Sequence, residues 1–193
     1  DVRLGRIAAE VPVDIQEDSV AQRFRRWLKN PKVDEQVIFD PVARRLLWSL
    51  RRTRLRIQID RTTMQDRFNI LMLSVYYRKR AIPLVWMVLP NMGNSGFMAQ
   101  VELLSYLHDL LPPGATVVLL GDREFGTPDM VRTIGCYDWA YCLRVKGSSY
   151  IYLPEARQWV QLRDLAPAPG TRSYLTDVLL TKTNTSRPLH FAL

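Results

Sequence analysis

A continuous apolar run that ends on a carboxylate restricts this chain more than any other feature. Val117, Val118, Leu119, Leu120 and Gly121 lead directly into Asp122, within the stretch Val-Val-Leu-Leu-Gly-Asp-Arg-Glu-Phe-Gly. A buried strand tolerates almost no charge inside, so an acid at the point where it emerges is costly unless something positive, often a metal ion, meets it. A second acid is placed the same way. Leu55-Arg56-Ile57-Gln58-Ile59-Asp60 alternates like a half-buried strand and ends on Asp, followed by Arg61-Thr62-Thr63. Taken singly, each Asp reads as a turn residue or a helix N-cap. Taken together they can share a divalent cation, provided that their strands are neighbours.

Around these two strands the pattern is mixed. Ser19 and Gln22 form a capping-box pair, and Val20, Phe24, Trp27 and Leu28 fall on one helical face, which marks Phe24 and Trp27 as core residues. Asp40-Pro41 reads as the start of a second helix burying Val42, Leu46, Leu47 and Leu50. From Leu55 the chain turns to strands: Leu55–Asp60, Phe68–Tyr77 and Ala81–Leu89, with Arg78-Lys79-Arg80 as a hairpin turn. Gly93-Asn94-Ser95 offers a turn and N-cap for a helix burying Phe97, Val101, Leu104, Leu107 and Leu111, ended by Pro112-Pro113-Gly114. Strand Val117–Gly121, a helix from Pro128 to about Ile134 and strand Ala140–Val145 follow. Beyond Val145, Gly147-Ser148-Ser149, Ala166 to Gly170 and Asn184-Thr185-Ser186 punctuate short strand-like runs, among them Trp159–Leu162, Leu175–Thr181 and a last one at Pro188–Leu193.

The chain of 193 residues carries a net charge of +8, with 47% hydrophobic content. That is enough apolar material for a real core, and the charge points to a polyanionic partner. The basic residues cluster: Arg23, Arg25, Arg26, Lys29 and Lys32, then Arg44, Arg45, Arg51, Arg52, Arg54 and Arg56. Clustering favours a nucleic-acid footprint over a merely solvated face. No apolar run approaches the roughly 18 to 20 residues that span a bilayer, and no signal-peptide pattern opens the chain, so a cytoplasmic protein without membrane contact is expected. Cys136 and Cys142 have neither CxxC spacing nor a nearby His; two buried free thiols are expected, with no zinc. His108 and His190 fall in no pattern suited to a base or a ligand.

The segments Ile-Asp-Arg-Thr at 59–62, Ala-Ile-Pro-Leu-Val-Trp at 81–86, Gly-Asn-Ser at 93–95, Leu-Leu-Gly-Asp-Arg-Glu-Phe at 119–125 and Leu-Arg-Val-Lys at 143–146 resemble, in order, those of bacterial insertion-sequence transposases of the DDE class. The resemblance covers roughly residues 20–146. It implies an α/β, ribonuclease-H-like mixed sheet of three antiparallel strands then parallel strands with helices, preceded by a small helical basic unit and followed by a β-rich insertion. In domain terms that is a helical basic DNA-binding region at 1–53, a partial catalytic core at 54–146 and an incomplete insertion at 147–193. In such a sheet the first and fourth strands lie side by side and parallel, so Asp60 and Asp122 converge.

The implied activity is metal-dependent cleavage of DNA ends and strand transfer during transposition. Asp60 and Asp122 are then catalytic residues and metal ligands, in a two-metal site for Mg²⁺ that Mn²⁺ also satisfies. Arg23, Arg25, Arg26, Lys29, Arg61, Arg123, Arg144 and Lys146 are the candidate DNA contacts, with 144 and 146 of one strand parity and so on one face. Arg61 and Arg123 are expected to steady the DNA backbone or the acids. The implied partners are double-stranded DNA, as transposon ends and target, and a second copy on DNA in the full-length form; the implied location is the bacterial nucleoid. The family's third acid is a Glu on a helix within Y-x2-R-x3-E-x6-K, a signature these residues lack. Glu124 sits at a position the family leaves variable, and Glu102 precedes the second Asp, the wrong order. The expectation is a core cut short of its Glu, inactive alone, with that acid beyond Leu193. A catalytically silent, truncated DNA-binding remnant is the alternative; a ribonuclease H or structure-specific nuclease is disfavoured by the basic helices and the long insertion.

Overall fold

The computed structural model describes residues 3–64, 67–182 and 188–193. The chain divides into two compact units, the first running to Pro41 and the second from Val42 to Leu193. The first unit pairs a short helix, α1 (Leu4–Ala9), with α2 (Glu17–Leu28). Ala8, Val20 and Ala21 are buried together, with Val11 and Phe24 packed against them. Two expectations are corrected here. Helix α2 begins at Glu17 rather than at Ser19, because Glu17 and Asp18 fill its first turn, where carboxylates meet the positive end of the helix dipole. Trp27, expected in the core, is 46% exposed, and Leu28 is exposed too; α1 is only six residues long and covers no more of α2 than its first half and Phe24.

Helix α3 (Glu35–Leu50) also begins earlier than expected. Asp34 Oδ1 accepts the N–H groups of Gln36 and Val37 and so caps the helix, while Pro41 lies inside it at the loss of one backbone bond. The turn of α3 beyond Pro41 buries Ala43 and Leu47, not Val42, which is exposed. Two arginines of the second basic cluster have structural partners. Arg44 Nη1 donates to the Asp109 carbonyl, and Arg51 Nη1 donates to the Trp48 carbonyl with its guanidinium over the Trp48 ring.

The second unit is built on a five-stranded sheet, β1 (Leu55–Met64), β2 (Phe68–Tyr77), β3 (Arg80–Leu89), β4 (Val117–Gly121) and β5 (Ala140–Leu143), in the order β3-β2-β1-β4-β5. The first three strands are antiparallel and β4 and β5 run parallel to β1, which is the ribonuclease-H-like arrangement. The β2–β3 hairpin turns through Arg78 and Lys79, both at positive φ (47° and 64°), between the paired residues Tyr77 and Arg80. Leu55, Ile57 and Ile59 of β1 and Val117 and Leu119 of β4 are buried on one face, as their alternation requires. Helix α4 (Phe97–Leu110) joins β3 to β4 and buries Leu103, Leu104, Leu107 and Leu110, while Phe97 is exposed. Helix α5 (Pro128–Cys136) joins β4 to β5, with Thr127 accepting the Met130 N–H as its cap.

A second sheet, β7-β6-β8-β9, is formed by β6 (Tyr150–Leu153), β7 (Gln158–Gln161), β8 (Tyr174–Leu180) and β9 (Leu189–Ala192). Ile151, Leu162, Val178, Leu180 and Leu189 of this part share a buried cluster with Val131 of α5. The described residues after 147 thus form four strands, and the expected Asn184-Thr185-Ser186 turn lies outside the described residues. The two cysteines are exposed, not buried: Cys136 closes α5 and Cys142 lies on the edge strand β5. No helix among the described residues is long and apolar enough to cross a membrane.

Candidate functional site

The register between β1 and β4 sets the site. Leu55 pairs with Val117, and the parallel ladder runs to Ile59 opposite Gly121. Asp60 and Asp122 are each the next residue after this ladder, on neighbouring strands spaced about 4.8 Å apart. Asp122 follows the end of β4, but Asp60, expected to end its strand, lies inside β1, which stays paired with β2 as far as Met64. Both acids are exposed. Each has one oxygen tied locally: Asp60 Oδ1 accepts the Arg61 N–H at 2.8 Å, and Asp122 Oδ1 accepts the Glu124 N–H at 2.9 Å. The second bond closes an Asx turn over residues 122–124, which lifts the chain off the strand end and leaves the carboxylate at the rim of the sheet.

The turn is held by packing on the far side. Phe125 is fully buried, and its N–H donates to the Asp122 carbonyl at 3.1 Å. Gly126 lies directly against the Arg144 backbone carbonyl, so any Cβ at 126 would overlap it. Gly126→Ala is therefore expected to destabilise the protein by about 1 to 3 kcal/mol, the usual cost of overpacking. Gly135 in α5 has nothing within 4 Å of its Cβ position. Gly135→Ala should therefore stabilise by a few tenths to about 1 kcal/mol. Urea unfolding of the two variants checks both signs.

A polar network that the sequence reading missed lies beside the aspartates. Arg61, the residue after Asp60, donates through Nε to Glu124 Oε2 at 2.8 Å and through Nη1 to Asn69 Oδ1 at 3.3 Å. The Ser95 N–H and hydroxyl donate to Glu124 Oε1 at 2.6 and 2.5 Å. Gln100 of α4 donates to the Ser95 carbonyl and hydroxyl oxygens, and Asn69 of β2 donates to the carbonyls of Asn91 and Gly93. Asn69, Ser95 and Gln100 are buried, and the Glu124 side chain is only 10% exposed. Burial alone pushes the Glu124 carboxyl up, but the hydrogen bonds from Arg61 and Ser95 outweigh it and hold the group below the ordinary glutamate range. Glu124 is thus a carboxylate at neutral pH, with both oxygens engaged.

Several residues have settings other than those expected. Ser95 does not cap α4; the cap position is Gly96, and the serine hydroxyl faces Glu124 instead. Arg61 has its guanidinium on Glu124 and Asn69. Arg123 is exposed at the turn. Strand β5 stops at Leu143, so the shared parity of Arg144 and Lys146 does not fix a common face; both are exposed, and Arg144 extends the ladder only through its N–H to the Gly121 carbonyl at 2.9 Å. Arg23, Arg25, Arg26 and Lys29 are all exposed, on or at the end of α2. Glu102 is exposed on α4. Among the described residues no group of three His, Cys, Asp or Glu side chains is placed to hold a metal ion. The donors present fit a hydrated Mg²⁺ or Mn²⁺, since Mg²⁺ keeps several waters and takes one or two carboxylates.

No family model matches the chain, and no curated protein does. Among solved structures, the Mos1 transposase catalytic domain with raltegravir and Mn is similar at 12% identity and a TM-score of 0.34, over 58% of this chain and 62% of that one. A crystal structure of the catalytic domain of Mos1 mariner transposase gives the same identity and TM-score, over 57% and 61%. The chain thus spans about three-fifths of those domains. Its fold class rests on its own strand order and register.

Proposed function

We propose that this chain is a fragment of a DDE-class DNA transposase of the bacterial insertion-sequence type, carrying part of its catalytic core, with Asp60 and Asp122 as catalytic residues that share divalent cations. The observation that carries the reading is the register of the parallel strands β1 and β4, whose last pair is Ile59 with Gly121, so that the two acids are the next residues on both sides. Asp60 and Asp122 would each hold the cation through a carboxylate oxygen. A divalent cation bound there would supply the charge needed to activate a water or a 3′-hydroxyl and to stabilise the leaving oxygen of the phosphodiester. Arg123, Arg144 and Lys146, all exposed, neutralise phosphate charge on the DNA; Arg61, whose guanidinium is on Glu124 and Asn69, steadies the protein beside the acids instead. The reaction needs a third acid that the described residues do not bring to the two aspartates. The alternative reading is a catalytically silent DNA-binding remnant of such an enzyme.

Both readings require DNA, in a nucleoid-associated, cytoplasmic setting, with a homodimer on the transposon ends in the first. Arg23, Arg25, Arg26 and Lys29 of the N-terminal unit are expected to supply the main phosphate contacts. Each neutralised phosphate releases counterions, so replacing all four by Ala should flatten the plot of log affinity against log salt by about one unit per lost contact. Affinity for duplex DNA across a salt series tests this. An unchanged slope in the quadruple variant would remove these residues from the interface. Cation-dependent cutting of end-containing DNA, lost on replacing Asp122, separates the enzyme from the silent binder.

A further inference from the structure

We infer that the Arg61–Glu124 ion pair is a clamp that sets the separation of Asp60 and Asp122 for a shared divalent cation, with both residues acting as positioning residues rather than ligands. The inference rests on the reading of the two aspartates as a cation site. Its geometric basis is independent of that reading. Arg61 directly follows Asp60 on β1, and Glu124 lies two residues past Asp122, where β4 has already ended. The ladder between β1 and β4 stops at Ile59 and Gly121, so no backbone pairing holds the next residues of the two strands together. The 2.8 Å bond from Arg61 Nε to Glu124 Oε2 spans that gap.

The clamp is anchored from both sides. On the Glu124 side, Ser95 donates twice to Oε1, and Ser95 is itself held by Gln100 from α4. On the Arg61 side, Nη1 reaches Asn69 of β2, whose amide fixes the chain at Asn91 and Gly93. Such a network, closed on itself and largely buried, has one low-energy arrangement. Outer-shell partners of metal ligands typically alter affinity by about 10-fold to 100-fold when removed, and a clamp of this kind is expected at the lower end of that range.

Titration of Mn²⁺ alone into the protein, followed by the free-ion electron paramagnetic resonance signal, tests the clamp. Glu124→Gln and Arg61→Gln change the local charge in opposite directions. If the pair acts by position, both variants bind Mn²⁺ about tenfold more weakly, and Arg61→Lys, which keeps a donor toward Glu124, recovers part of the loss. If only charge matters, Glu124→Gln weakens binding while Arg61→Gln tightens it, and that result overturns the clamp. Circular dichroism at the titration temperature confirms folding; should Glu124→Gln unfold, Ser95→Ala removes the hydroxyl bond to Glu124 and is expected to weaken binding by a smaller factor. Asp60→Asn/Asp122→Asn serves as the reference. Undiminished Mn²⁺ binding in that double variant defeats the shared-cation reading itself, whereas loss there with wild-type affinity in every clamp variant defeats the clamp alone.

Discussion

Asp60→Asn and Asp122→Asn are each expected to lower cation-dependent DNA-end cleavage by at least about 100-fold in any form of the protein that cuts DNA, while leaving DNA affinity within a few-fold of wild type. A misplacement of about 1 Å at a reacting centre can itself cost about 10²-fold, and removing a ligand displaces the cation by more than that. The substitution keeps side-chain shape and leaves an oxygen to accept the Arg61 or Glu124 N–H, so the turn geometry survives. The 193-residue chain by itself is expected to bind DNA and leave its ends uncut in Mg²⁺, because no third carboxylate joins the two aspartates among the described residues. Asp122-dependent cutting by this chain would contradict that expectation. Glu124 would then be the first acid to test, although both of its oxygens are engaged with Arg61 and Ser95.

Phe125→Ala is expected to cost about 3 to 5 kcal/mol, the range for deleting a fully buried aromatic ring. Phe125 has no exposed surface, and its Cβ lies 3.2 Å from where a side chain on Gly121 would begin, so the residue is buried against the end of β4 that leads into Asp122. A loss of that size is a large part of the stability of an ordinary domain. Chemical denaturation measures it, and a loss below about 1 kcal/mol would mean that the turn is not fastened to the core in this way. Phe125→Leu, which keeps much of the apolar volume, should recover more than half of the loss.

The sheet was legible because its signals are local. Alternation in β1, the apolar runs of β2 and β4 and the Arg78-Lys79 turn each lie within a few residues, and all five strands of the first sheet stand within a few residues of where the pattern puts them. The parallel pairing of β1 with β4 was legible only through the transposase resemblance, since nothing in either strand names its neighbour. Helix boundaries were harder. Asp40-Pro41 carries a stronger start signal than Asp34, yet Asp34 is the cap, because a proline inside a helix loses one bond and need not end it. Helix α1 is too short to show a period.

The network around Glu124 was not legible at all. Its members come from β1, β2, the connection before α4, α4 itself and the turn after β4, and the Arg61–Glu124 pair joins positions 63 apart in the chain. Arginine beside a candidate metal ligand reads as a phosphate contact when the partner is unknown. Only the fold shows that a carboxylate already occupies its Nε. The exposure of Trp27 and of the two cysteines was likewise hidden, since it depends on which element covers each residue.

The most direct test of the shared-cation claim is a crystal structure of the protein soaked in Mn²⁺, with the metal located by its anomalous signal. The account predicts one Mn²⁺ between β1 and β4, bound by one oxygen from Asp60 and one from Asp122 at about 2.1 to 2.2 Å, the distance typical of octahedral oxygen sites for such ions, with the two carboxyl groups roughly 4 to 7 Å apart. Manganese bound elsewhere, with the Asp60 and Asp122 carboxyl groups in an ordered core separated by more than about 12 Å, a gap that no single ion with ligands at these distances can bridge, would contradict it.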